Sequence, residues 1–204
     1  GQLDPRTARV AFVFLLVGYG TKVGLAPFHT WLPDAHSQAP APVSAIFSGF
    51  MLNAALYCLM RVLPVVDEAT GHSGFAQHLL VVFGILSMVV AGAFILFQRD
   101  VKRMLAYCSV EHLGVISLGL GLGGLGTVAA LFHTLNHSVC KSVGFFSAGR
   151  LGQMYGTHDM DSMVGTVRRA PVWGTGLLLS ILALIGVAPF SVFMSELQIV
   201  RAAT

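Results

Sequence analysis

The chain has 204 residues, of which 55% are hydrophobic and 10% are charged, and its mean hydropathy is +0.76. Soluble domains carry about 25% charged residues, so this composition excludes a soluble enzyme and is typical of a polytopic protein in a lipid bilayer. The formal net charge of +3 is spread over short connecting segments, which excludes a nucleic-acid-binding surface, and the three cysteines have neither disulfide nor zinc-ligand spacing.

Hydrophobic segments predict an all-α membrane bundle with about six spanning segments. These segments are residues 8–28, 43–63, 78–97, 105–121, a fifth around 132–146, and a sixth from 170 to the end. Residues 29–42 contain three prolines within ten residues, which predicts a loop or re-entrant turn instead of a regular helix. The polar connections are predicted at residues 65–77, 98–104 and 150–169, of which 98–104 is a positively charged loop.

His133, His137 and Lys141 recur at four-residue spacing inside the fifth apolar segment. This spacing places them on one helical face that turns by about 80° over a rise of about 12 Å. Ionisable groups at membrane depth normally face a bundle interior or a water-filled cavity, so the face predicts a proton path bridged by water. The alternative is structural: the histidines bond neighbouring helices, and Lys141 extends toward the membrane surface.

Other polar residues lie inside predicted spanning segments. Lys22 lies about 20 Å beyond Arg9 in a hydrocarbon layer about 30 Å thick, which favours a functional lysine. Asn53 cannot carry a proton at neutral pH, but it can hold water or cap a backbone group. Glu111 and His112 are adjacent, so their side chains point about 100° apart and one of them is expected to face a polar interior.

The proline-rich stretch carries three further ionisable residues, His29, Asp34 and His36. They can pass protons to Lys22 if the stretch is hydrated. Hydrated loop residues without a transport role are the alternative, and the pattern does not separate the two.

The sequence contains an internal echo. Val-Gly-Leu-Ala-Pro-Phe at residues 23–28 and Ile-Gly-Val-Ala-Pro-Phe at residues 185–190 share one pattern, and Lys22 and Glu196 lie beside these two motifs. Paired interrupted helices with charges near the membrane midplane are typical of transporters built from structural repeats. The echo therefore predicts a transporter built from structural repeats, with one interrupted helix in each half.

Three stretches resemble the signatures of the antiporter-like subunits of respiratory complex I. They are Gly-Tyr-Gly-Thr-Lys-Val-Gly-Leu-Ala-Pro-Phe-His-Thr-Trp-Leu-Pro-Asp-Ala-His at residues 18–36, Gln-Arg-Asp-Val-Lys-Arg-Met-Leu-Ala-Tyr-Cys-Ser-Val-Glu-His-Leu-Gly at residues 98–114, and residues 133–141. The first stretch and the Ala-Pro-Ala-Pro-Val-Ser run most resemble the hydrogenase-4 component F type of membrane-bound nickel–iron hydrogenases. Mrp-type sodium/proton antiporters carry similar motifs.

The resemblance covers almost the whole chain and implies a subunit of about fourteen helices in two inverted repeats. Residues 1–204 are expected to be a piece of it, within one transmembrane proton-translocation domain. Lys22 would be the broken-helix lysine of the first repeat, whose glutamate partner this chain does not contain, and Glu196 the terminal site of the second. Asn53 departs from members with lysine or histidine there, so a water link is expected. The other positions that match the family's proton path are Lys102, His112, His133, His137 and Lys141.

The sequence therefore predicts a non-redox subunit that moves protons or sodium ions and is driven by electron transfer elsewhere in a respiratory or hydrogenase complex. Other membrane subunits are the expected partners, in a prokaryotic cytoplasmic membrane, and no cofactor, metal or catalytic motif is identified. One alternative is a self-standing Mrp-type sodium/proton antiporter subunit. Another is a membrane haem or metal protein using His133 and His137, although Lys141 would repel a cation.

Overall fold

The computed structural model describes residues 4–204, so the first three residues of the predicted domain 1–204 lie outside the described part. The described chain is all-α, as the sequence predicts. Its elements are α1 (Pro5–Val23), α2 (Trp31–Gln38), α3 (Ala41–Ile46), a π-helical turn (Phe47–Met51), α4 (Leu52–Ala69), α5 (Phe75–Ile95), α6 (Val101–Leu122), α7 (Gly124–Tyr155), α8 (Thr166–Arg169), α9 (Pro171–Leu184) and α10 (Ser191–Ala203).

Three of these helical segments are long and apolar enough to cross a membrane. They are Phe75–Ile95, Val101–Leu122 and the continuous segment Ala41–Ala69, which consists of α3, the π-helical turn and α4. The helices α1 and α7 and the pair α9 and α10 coincide with the other predicted segments. The count of about six spanning segments therefore stays a prediction.

The proline-rich stretch is not a loop, and this prediction is wrong. Residues 31–38 form α2, in which Pro33 lies in the first turn, where its missing N–H is not needed by the helix. Pro40 precedes α3, and Pro42 lies in the first turn of α3. A proline at a helix start removes no hydrogen bond that the helix needs, so three prolines at these positions are compatible with two short helices.

Residues 98–104 were predicted to form a positively charged loop. This prediction is wrong for residues 101–104, which belong to α6. Asp100 caps α6 by accepting a hydrogen bond from the Arg103 N–H at 2.8 Å, and the helix begins at Val101. Lys102 is therefore a residue of the first helical turn and is buried. The charges that looked like a connection instead form a helix start.

The connection predicted at residues 150–169 is shorter than expected because α7 continues to Tyr155. Residues 156–165 fold back on the start of α6, where the Val101 N–H donates to the His158 carbonyl at 3.0 Å and the Met160 N–H donates to the Arg99 carbonyl at 2.8 Å. Burial lowers the pKa of the His158 side chain below its ordinary value. The connection is thus anchored to the helix bundle.

The connection predicted at residues 65–77 is also shorter than expected, because α4 continues through Pro64 to Ala69.

Glycines allow α5 and α6 to approach closely. A Cβ atom on Gly84 would lie 2.7 Å from the Gly114 carbonyl oxygen and 2.9 Å from the Leu118 nitrogen, and a Cβ atom on Gly114 would lie 2.7 Å from the Gly84 carbonyl oxygen. Small residues that let backbones touch are the usual means of packing helices in membranes. This contact fixes the position of α6, which carries His112.

Gly84→Ala should destabilise the bundle by about 1–3 kcal/mol, because the atoms it meets belong to the α6 backbone and cannot rotate away. Gly92→Ala is the matched control on the same helix, since nothing lies within 4 Å of its Cβ position. It should leave stability unchanged or slightly raised through helix propensity. Thermal unfolding of the two variants in detergent checks this, and equal midpoints would contradict the close approach.

Candidate proton-translocation site

The helix α7 positions the residues predicted to form the proton path. It packs against α3, α6, α9 and α10 and so lies at the centre of the described bundle. His133, His137 and Lys141 have no exposed surface. Their four-residue spacing therefore places all three on a buried face, as predicted. Lys141 does not extend to the surface of the described chain.

His112 on α6 joins this face. Its Nδ1 atom lies 2.9 Å from Nε2 of His133, and its ring centroid lies 5.4 Å from that of His137. We call His112, His133, His137 and Lys141 the histidine–lysine cluster. The sequence predicts a path along α7 through water, whereas the direct contact in the structure runs between α6 and α7. Contacts between helices cannot be read from the spacing within one helix.

A directed set of hydrogen bonds ties the cluster to α10. The Ser195 hydroxyl donates to the Val192 carbonyl at 2.8 Å, so its oxygen accepts from Nδ1 of His133 at 2.9 Å. Nε2 of His133 is then the acceptor for the Nδ1–H of His112. Nε2 of His112 is buried and has no partner in the described chain. Sequence reasoning missed Ser195, and its position next to Glu196 was the available signal.

Lys141 forms the other end of the cluster. Its Nζ atom donates to the Leu105 carbonyl at 2.7 Å. Leu105 and Phe145, both buried, belong to the hydrophobic cluster in this region. An isolated ammonium in apolar surroundings is costly, so nearby polar groups are needed to hold a charge there.

Two carboxylates line a cavity beside the cluster. Glu111 on α6 and Glu196 on α10 both border this cavity of about 490 Å³, whose walls are otherwise mainly apolar. Glu111 therefore borders an open cavity, whereas its neighbour His112 is buried inside the described bundle. Glu196 lies against the break between α9 and α10, where a Cβ atom on Gly186 would overlap its Oε2 atom.

The internal echo corresponds to two broken helices. Gly24 ends α1 with φ at +83°, and Gly186 follows the end of α9 with φ at +69°. Both angles lie in the left-handed region that glycine tolerates, so Gly24 caps α1 directly and Gly186 turns the chain just after α9 has ended. The prediction of two broken helices is confirmed. Lys22 is exposed in the last turn before the first break, whereas Glu196 is half-buried in the helix after the second.

Lys102 occupies a different place from the cluster. Its Nζ atom donates to the carbonyl oxygens of Ser37 at 3.0 Å and Ala39 at 2.5 Å. Both carbonyls lie at the C-terminal end of α2, where a positive charge complements the helix dipole. Lys102 thus anchors α2 to α6. Its role in a relay stays a prediction.

Asn53 on α4 contacts the face of α7 next to the cluster. Its Nδ2 atom donates to Ser138 Oγ at 2.8 Å and to the Gly49 carbonyl at 3.0 Å. Its Oδ1 atom is buried and has no partner in the described chain. A buried acceptor of this kind is suited to hold a water molecule, which is the role predicted for Asn53.

The three residues expected to feed Lys22 separate in space. Asp34 is exposed and lies 3.2 Å from the Arg103 guanidinium. His29 is buried with its ring edge-on to Tyr107. His36 is buried and stacks on Phe145, one turn beyond Lys141 on α7, with ring centroids 5.0 Å apart. His36 therefore extends the buried face of α7, a position that the proline-rich sequence around it does not indicate.

The chain matches known proteins over nearly its whole length. Residues 3–204 match the family described as NADH:quinone oxidoreductase/Mrp antiporter, transmembrane. The hydrogenase-4 component F homolog of Methylacidiphilum infernorum is 42% identical over 202 residues, which cover 98% of this chain and 42% of that protein. The NADH-quinone oxidoreductase subunit N of Desulforudis audaxviator is 35% identical over 199 residues, covering 97% of this chain and 40% of that protein.

Solved structures agree with these matches. An archaeal respiratory complex, the membrane-bound sulfane sulfur reductase, contains a chain with TM-score 0.92 and 34% identity, and the match covers 98% of this chain and 41% of that one. The Mrp complex of Dietzia sp. DQ12-45-1b gives 0.90 and 27%, covering 98% and 37%. The chain thus spans about two fifths of the proteins that it matches. It belongs to the NADH:quinone oxidoreductase/Mrp antiporter transmembrane family.

Proposed function

We propose that the chain is part of an ion-translocating subunit, in which protons cross the centre of the membrane through the histidine–lysine cluster. The observation that carries this proposal is the run of hydrogen bonds from His112 through His133 to Ser195. It connects α6 and α7 to the second broken helix. A neutral imidazole has one donor and one acceptor nitrogen, so each ring can take up a proton on one side and release it on the other.

The cluster also has ring nitrogens that water would bond. Both ring nitrogens of His137 are buried and have no hydrogen-bond partner in the described chain. A water between His137 and His112, whose ring centroids are 5.4 Å apart, would complete the connection toward Lys141. Glu196 borders the cavity beside the cluster. As the terminal site of the second repeat, it would pass protons between the cluster and the end of the path.

Electron transfer is proposed to occur in partner subunits. The relatives named above include a hydrogenase-4 component and a subunit of NADH-quinone oxidoreductase. The proposed partners are therefore membrane subunits of a hydrogenase or quinone-reducing complex, and this chain needs no redox cofactor of its own. Lys22, exposed at the first helix break, would be covered by a preceding part of the subunit that supplies its carboxylate.

A second function is a sodium/proton antiporter subunit, which the similarity to the Mrp complex of Dietzia sp. DQ12-45-1b favours. The two functions differ in their driving force. An antiporter in vesicles exchanges protons for sodium when only a sodium gradient is imposed. The subunit of a redox complex moves protons only during electron transfer, so transport measured with and without the electron donor separates the two.

Lys22→Ala and Lys22→Arg should both abolish proton translocation in the reconstituted complex. Alanine removes the proton-carrying group, and arginine keeps its charge at any physiological pH and cannot release a proton. Proton uptake per electron in proteoliposomes measures the effect. Arg6→Gln, which changes an exposed residue at the start of the same helix, is the control and should behave as wild type. A wild-type ratio in Lys22→Arg would refute the role of Lys22 as a proton carrier.

A further inference from the structure

We propose that His112, His133 and Glu196 form a binding site for a divalent transition-metal ion of the zinc class. These residues come from three helices, α6, α7 and α10. One ligand atom from each lies within 4.8 Å of the others. Two imidazoles and one carboxylate are a donor set that Zn²⁺ takes in proteins, with a fourth position left for water.

The distances suit a small tetrahedral ion. Nitrogen ligands at about 2.0–2.1 Å from Zn²⁺ lie about 3.3 Å from each other in a tetrahedron. Nδ1 of His112 and Nε2 of His133 are 2.9 Å apart and point at each other. To bind the ion, these atoms need to separate by about 0.4 Å and both rings need to turn so that their lone pairs meet at the metal. The Glu196 side chain borders the open cavity. Rotation of this side chain would bring its carboxylate to the third ligand position of the ion.

The surroundings already orient the ligands. Ser195 accepts the Nδ1–H of His133 at 2.9 Å, which directs the lone pair of Nε2 toward His112. Hydrogen bonds of this kind fix the tautomer of a metal-bound histidine. If the metal binds Nδ1 of His112, the ring proton moves to Nε2. In the structure without metal, Nε2 has no partner in the described chain, so it is free to take this proton.

Two carboxylates oppose the charge of a divalent ion at this site. Lys141 lies near the site and repels a cation, but its Nζ atom is turned to the Leu105 carbonyl at 2.7 Å. Glu111 borders the same cavity as Glu196, so two carboxylates are available to offset the charge of a divalent ion. His137, which the sequence paired with His133, is not among the residues whose ligand atoms lie within 4.8 Å of one another.

A bound ion would lie where His112 and His133 share a proton, and it would tie α10 to α6 and α7. We expect the ion to block the proton path, and this consequence rests on the proposed function. Binding of the ion does not depend on that function. If Zn²⁺ binds to these residues and proton translocation continues at the wild-type rate, the metal site stands and the route through His112 and His133 is wrong.

The test uses the intact complex that contains the full-length subunit. Equilibrium dialysis against ⁶⁵Zn²⁺ should find one more ion per complex in wild type than in His133→Gln or Glu196→Gln, whose affinity for that ion should fall at least tenfold. Ser195→Ala should weaken binding by about 10–100-fold, since it removes only the orienting hydrogen bond. His158→Gln, a histidine in the connection 156–165, is the matched control and should bind as wild type.

X-ray absorption at the zinc edge supplies a second readout that does not depend on stoichiometry. The spectrum should show two imidazole ligands in wild type and one in His133→Gln. Size-exclusion profiles show whether each variant remains assembled, and a variant that dissociates is replaced by His112→Gln in the same comparison. Unchanged stoichiometry and spectrum in the assembled ligand variants would overturn the proposal.

Discussion

Replacing Lys141 by methionine should reduce proton translocation by about 10²-fold or more, which is the usual contribution of a positioned proton-transfer group. Lys141 is completely buried in α7, and its Nζ atom donates to the Leu105 carbonyl at 2.7 Å. Methionine has a similar length and an apolar end, so packing should be preserved while the proton carrier is lost. Proton uptake per electron in proteoliposomes is the measurement.

Lys141→Arg distinguishes a titrating lysine from a fixed charge. Arginine keeps a positive charge and cannot release its proton, so this variant should fail as well. Arg150→Met is the matched control, because it removes an exposed basic residue from the same helix. Full translocation by Lys141→Arg, with electron transfer unchanged, would show that the site needs charge alone.

The sequence predicted those features that depend on one helix or on local backbone chemistry. The four-residue spacing of His133, His137 and Lys141 defines a face that any α-helix must keep together. The repeated Gly-containing motif defines two helix ends, because Gly24 and Gly186 take angles that other residues avoid. Both predictions hold in the structure because neighbouring helices do not change them.

The sequence did not predict contacts that depend on how helices pack. The register of His112 against His133 depends on where α6 lies, which the glycines between α5 and α6 help to fix. Lys102 was assigned to a charged loop in the sequence. It is buried because its Nζ atom bonds the carbonyl oxygens at the end of α2, and the prolines argued against a helix there. Tertiary partners of this kind leave no periodic pattern in the sequence.

His137 should be the position at which substitution separates titration from hydration. Its ring is buried, and neither nitrogen has a hydrogen-bond partner in the described chain, so a proton relay through His137 would need water beside the ring. His137→Leu would line this stretch with apolar surface while favouring membrane insertion. Proton translocation should fall by about 10²-fold or more while the complex still assembles.

His137→Gln keeps a polar side chain that can organise water but cannot carry a proton at neutral pH. If His137 mainly holds the water path open between His112 and Lys141, glutamine should be much less damaging than leucine. Equal loss in both variants would mean that the ring itself must gain and release the proton. Val139→Leu, on the exposed side of the same helix, controls for added apolar volume. If both His137 variants assembled and pumped at wild-type rates, the histidines would serve to pack α7 against its neighbours, and the path would have to avoid this face.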